Sequence, residues 1–303
     1  MNQKVLGLLL LLGVILSSCN SNPNGESGDG LDVPDSLLTT NIGSDVDKAA
    51  MAEIIQNISS PVEMSALLKE EGIEFNYKFL SPTDNIDEFN TNFKQALNLG
   101  VLGADMGYLN MYNKTGAVLN YITAIKELSD VLKVGQFFNF ETLKRLATNS
   151  ENIDSLMYIS VSSFDNMDSY LRENNRSDIS ALLVTGVWIE GLFLATQVVK
   201  ENENDKVKQR IGEQGIVLEQ LMIVLNLYKK DKRFFELITE FEKIQKALSK
   251  VKIKVEEGET EMVEVDGVLM AVSNSKTSVE VTDSQLKDII KVVEEVRTYV
   301  IKY

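Results

Sequence analysis

Proline is the strongest break a helix can meet, and all four prolines here, Pro23, Pro34, Pro61 and Pro82, lie in the first 82 residues. The last 221 of the 303 residues contain none and are free to form long helices. Apolar spacing predicts helices at about 92–113, 116–134, 139–149, 151–174, 178–200, 204–229 and 231–249, with breaks at Gly116, Gly135 and Asn174-Asn175. Ser60 before Pro61 has the form of an N-cap followed by proline at the first helical position, opening a short helix to about Glu71. Another helix is expected at about 46–57.

The period changes after residue 250. Val251, Ile253 and Val255 alternate with Lys252, Lys254 and Glu256, and Asp266-Gly267 separates two further apolar-rich runs. Alternation flanking Asp-Gly predicts a hairpin within about 251–272. Thr282 and Gln285 then have capping-box spacing and open a last helix that buries Leu286, Ile289, Ile290, Val293, Val296 and Val300. The expected fold class is mainly α, either a multi-helix bundle or an array of helical pairs, with a small C-terminal β-hairpin.

The first residues carry one positive charge, Lys4, and then an uncharged apolar run from Val5 to Leu16. That run is the length of a signal-peptide core and too short to span a bilayer. It ends in Leu16-Ser17-Ser18-Cys19, which resembles the lipobox of bacterial lipoproteins, and Cys19 is the sole cysteine. The resemblance implies cleavage before Cys19 and up to three acyl chains on it, enough for stable anchoring in a lipid bilayer. The stretch from Asn20 to Ser36 is mostly Asn, Ser, Gly, Asp and Pro, too polar to fold by itself. The expected organisation is a signal peptide at 1–18, a lipidated tether at 19–45 and a single helical domain at 46–303. The lack of aspartate just after Cys19 resembles lipoproteins sorted to the outer membrane, with the exposed face left open.

Several chemistries are excluded. The chain has no histidine, which removes Ser-His-Asp and Cys-His catalysis, two-histidine zinc sites and the usual haem ligation. With Cys19 lipidated, no thiol or disulfide chemistry is left. Neither a phosphate-cradling glycine loop nor an EF-hand calcium loop is present, and no cofactor is expected. With 45 acidic against 30 basic residues the net charge is −15, which disfavours nucleic acid as a partner.

Two segments carry the remaining candidates. One runs from Gly100 to Tyr108, with glycines at 100, 103 and 107 that each cost about 1 kcal/mol in a helix unless close packing or a ligand uses the room. Close packing is the simpler account. The other runs from Ala181 to Val199, nearly all apolar, with Gly186, Glu190 and Gly191 inside it. Its length would allow a membrane span, but a central glutamate marks it as a buried core helix. Asp105 shares a helix face with Asn98, Val101, Tyr108 and Tyr112, and Glu190 shares one with Leu183, Gly186, Val187, Phe193, Leu194 and Gln197.

Both acids therefore point where core is expected. A buried carboxylate must be paired, accept hydrogen bonds or stay protonated. Asp105, Glu190, Asn98 and Tyr108 are thus candidates for one network, structural or ligand-binding, and whether a metal belongs there is open. Trp188 is read as core, and Arg172, Glu173 and Arg176 as solvated charges.

The lipobox leader, the glycine-aspartate-tyrosine helix and Thr185-Gly186-Val187-Trp188-Ile189-Glu190-Gly191 together resemble helical lipoproteins of Bacteroidota-type envelopes, over about residues 90–200. The resemblance implies a compartment rather than an activity. Two functions stay open: an envelope lipoprotein that binds or scaffolds another envelope protein without catalysis, and a small-molecule or metal-binding protein, conceivably an enzyme, built on Asp105 and Glu190.

Overall fold

A computed structural model describes residues 61–147, 153–256, 260–265, 268–273 and 276–302. The expected leader, the tether, the helix at 46–57 and the Asp266-Gly267 turn lie outside the described residues. All described elements belong to the unit that runs from Ile42 to Tyr303.

Nine α-helices are found among the described residues: α1 (Pro61–Glu70), α2 (Asn92–Met111), α3 (Thr115–Val131), α4 (Phe140–Ala147), α5 (Ile153–Glu173), α6 (Ser177–Glu201), α7 (Asp205–Asn226), α8 (Lys232–Leu248) and α9 (Asp283–Lys302). Their starts follow from local chemistry. Thr91 caps α2 by accepting from the Lys94 amide at 3.2 Å, Asn204 caps α7 from the Val207 amide at 3.0 Å, and Asp231 caps α8 from the Arg233 amide at 2.8 Å. Thr282 and Gln285 make the expected capping box in front of α9, each side chain accepting from the other residue's amide.

Two helix ends differ from the sequence expectation. Gly116 and Gly135 do not supply the left-handed residues that close α2 and α3; Asn113 and Lys133 do, while Asn175 closes α5 where a break is expected, all with φ near 57–58°. Behind each, the next amide reaches back to a carbonyl five residues earlier, as in Lys114 to Leu109 at 3.0 Å and Val134 to Ser129 at 2.8 Å. Those bonds satisfy carbonyls that the helix end would otherwise leave without donors.

The architecture is a bundle built around α2 and α6, which pack on each other along much of their length. Both are buried nearly all round, which is why neither shows a clean amphipathic stripe in sequence. They cross backbone to backbone. A Cβ on Gly100 would sit 2.1 Å from the Leu183 carbonyl oxygen, and one on Gly186 would sit 1.9 Å from that of Leu97. Gly103 instead receives the Phe164 ring of α5, 2.5 Å from where its Cβ would be. Gly107 meets nothing within 4 Å, so the close-packing account holds for two of the three glycines on α2. The remaining helices cover this pair, α1, α3, α5 and α9 against α2 and α1, α5, α7 and α9 against α6.

The β region is larger than expected. Four strands, β1 (Lys252–Glu256), β2 (Thr260–Val265), β3 (Val268–Ser273) and β4 (Lys276–Glu280), form two antiparallel pairs, β1 with β4 and β2 with β3. The strands expected at 251–272 therefore divide: β2 and β3 pair with each other as the hairpin, while β1 pairs with β4, beyond the expected range. The base of this β region rests on α7, where the absence of a side chain at Gly212 makes room for Val279, Val281 and Val251.

Candidate functional site

Five residues beyond Gly100 on α2 comes Asp105, and four beyond Gly186 on α6 comes Glu190. The tight glycine crossing therefore brings the two acids to the interface, and both are fully buried. Burying two carboxyl groups together requires compensation, and it comes from α9. Arg297 donates from Nε and Nη2 to the two oxygens of Glu190, each at 2.9 Å, in a two-pronged ion pair. Its guanidinium lies 4.4 Å from the Phe193 ring centroid and also donates to Ser81 Oγ.

Ser81 sits between the short 3₁₀ turns Tyr77–Phe79 and Ile86–Glu88 and uses three of its groups in the cluster. Its amide donates to Asp105 Oδ2 at 2.9 Å, its hydroxyl accepts from Arg297, and its carbonyl accepts from the Tyr121 hydroxyl of α3 at 2.5 Å. Five separate parts of the chain thus meet at one polar point inside the bundle.

The electrostatics follow from this packing. Burial pushes the Asp105 carboxyl well above the usual carboxylate range, and the neighbouring Glu190 charge adds to the rise. Arg297 and the Ser81 amide oppose it without cancelling it. For Arg297 burial works against the charged form, but Glu190 more than offsets that and holds the guanidinium protonated. Burial also raises the Tyr121 hydroxyl, with the two acids contributing.

The structure brings together two of the four candidate residues named from sequence. Asn98 and Tyr108 are buried but hydrogen-bond elsewhere. Asn98 lies seven residues before Asp105, about 10 Å along the helix axis, and donates to the carbonyls of Lys94 at 2.9 Å and Val300 at 3.4 Å. The Tyr108 ring stacks on Phe75 at 5.0 Å and its hydroxyl accepts from the Asn76 amide at 3.2 Å, so it serves the loop before α2. Arg297, Ser81 and Tyr121 were not anticipated.

Other sequence expectations resolve clearly. Trp188 is buried and donates from Nε1 to the buried Gln214 at 3.0 Å. Arg172 is a correction: it is largely buried and ion-paired with Asp168 at 2.6 Å, because Asp168 lies one turn earlier on the same helix face. Helix α6 is long and apolar enough to cross a membrane, yet 83% of that apolar window is buried within the bundle.

No protein-family model matches the chain, and no solved structure does. An argininosuccinate lyase from Prochlorococcus marinus (strain MIT 9215) is 32% identical over 96 residues, 31% of this chain and 20% of the lyase. The chain thus spans about a fifth of the length of the curated relative it matches.

Proposed function

We propose that this chain is a membrane-anchored lipoprotein of a bacterial envelope, sorted to the outer membrane, whose helical domain binds or scaffolds another envelope component. The observation that carries the reading is the order Lys4, apolar run, Leu16-Ser17-Ser18-Cys19 and polar tether, which is the order a lipoprotein leader requires. The net charge of −15 supports a protein partner over nucleic acid.

The other reading, a ligand or metal site on Asp105 and Glu190, is less well supported by the geometry. Both oxygens of Glu190 are engaged by Arg297, so a cation would have to displace a guanidinium from a closed core. Among the described residues no three carboxylates are grouped to share an ion.

Growth with an alkyne-bearing fatty acid should label the wild-type chain, and Cys19→Ala should abolish both the label and retention in washed membranes. A mature, cleaved Cys19→Ala protein that stays in the membrane would defeat the lipoprotein reading. In the same preparations, a rise in melting temperature on adding magnesium, calcium or manganese that is lost in Glu190→Gln would favour the metal reading instead.

A further inference from the structure

A count of donors and acceptors in the core cluster leaves one acceptor over. Arg297 supplies Glu190 and Ser81 Oγ, the Ser81 amide supplies Asp105 Oδ2, and the Tyr121 hydroxyl supplies the Ser81 carbonyl. No donor reaches Asp105 Oδ1, although Asp105 is fully buried. Asp105 neighbours the Glu190 carboxyl, and the two can hydrogen-bond only if one of the acids carries a proton. Charge gives the same answer, because two ionised acids against one guanidinium would leave a net negative charge in a low-dielectric core.

We propose that the cluster is a one-proton latch: Asp105 is protonated at Oδ1 and donates to Glu190, so that the closure of the Ser81 loop and α9 over α2 and α6 depends on that proton and weakens as it leaves at rising pH. The groups that face Asp105 are Glu190 from α6, Arg297 from α9, Tyr121 from α3 and the Ser81 amide from the loop, with Tyr108 one turn further along α2 sensing its charge. Arg297 alone among them is cationic, and it is already paired with Glu190. The raised proton affinity of Asp105 has the sign this arrangement requires.

A carboxyl whose folded value is raised contributes stability that is complete below its ordinary value and is lost as pH climbs through the raised one. Within that window the folding constant of the wild type should fall relative to that of Asp105→Asn by about tenfold per pH unit. The asparagine keeps a donor at this position and has no proton to lose.

The direct test is infrared spectroscopy of the full chain in its folded state. A carbonyl stretch of a protonated carboxylic acid should be present at neutral pH. It should shift when aspartate is ¹³C-labelled at its carboxyl, stay in place when glutamate is labelled, and vanish in Asp105→Asn. No such band at neutral pH, or one that moves with glutamate labelling, overturns the assignment of the proton to Asp105. A wild-type to Asp105→Asn ratio of folding constants that stays flat from acid to alkaline pH overturns the latch. Should the variant fail to fold, the labelled wild type decides by itself, through the loss of its aspartate band and of its folding constant over the same pH range.

Discussion

Arg297→Met is the most informative single perturbation of this core. It removes two hydrogen bonds to Glu190 at 2.9 Å, a third to Ser81 Oγ, and the cation that balances a fully buried Glu190. Stranding one partner of a buried ion pair costs about 3–5 kcal/mol. For a domain of this size each kcal/mol moves the melting midpoint by about 2–4 °C, so a fall of about 6–20 °C is expected. Glu190→Met should cost less, because Asp105 lies beside the stranded guanidinium and can release its proton to balance it. The double variant replaces a buried pair by two apolar side chains and should recover most of the loss, giving a coupling energy of about 2–4 kcal/mol. Urea denaturation followed by the fluorescence of Trp188, the single tryptophan, reads all four proteins without adding salt. Single-variant losses that add to the double-variant loss within about 0.5 kcal/mol would show that the pair is not coupled.

Two other sites make opposite demands on the central helix pair, and a third tests the cap of α8. Gly186→Ala puts a Cβ 1.9 Å from the Leu97 carbonyl oxygen, a backbone atom that cannot swing aside, and should destabilise the protein by about 3 kcal/mol in the same denaturation series. Gly107→Ala meets nothing within 4 Å and should stabilise it by about 0.5–1 kcal/mol through helix propensity alone. Asp231→Ala removes the α8 cap and should cost about 1 kcal/mol. Hydrogen bonding to Arg233 holds the Asp231 carboxyl below its usual range, so its contribution is present above the ordinary carboxylate value and lost as pH falls through the lowered one. The gap between wild type and Asp231→Ala should therefore close on acidification.

The helices, the burial of both acids and a hairpin near the C-terminus were legible because each rests on a short-range pattern. Periodicity places Asp105 and Glu190 on apolar faces without any knowledge of the tertiary fold. What sequence could not supply was the partner, since Arg297 is 107 residues from Glu190. A signal for it did exist: Arg297 is four residues after Val293 and three before Val300, so it is a charge on the buried stripe of α9. A buried charge asks for an opposite one, and Glu190 was the natural answer. Ser81 gave no such cue, because its role comes from its amide and carbonyl, which every residue has. Asn98 and Tyr108 were misassigned because sharing a helix face says nothing of axial distance or of where a long ring ends. The outer strand pair was missed in part because Lys276–Glu280 lacks the Asp-Gly signal of the inner one.

The position of Arg297 in the chain also bears on when the core can close. The two acids belong to α2 and α6, which a ribosome finishes about a hundred residues before it reaches the arginine. Until α9 arrives, a pairing of α2 with α6 at their glycine crossing brings two carboxyl groups together without their cation. The charge balance of the central crossing is therefore complete only once α9 has been made. In a synthesis that runs from α2 to α9, the cation that seals the central contact is the last of its partners to be made.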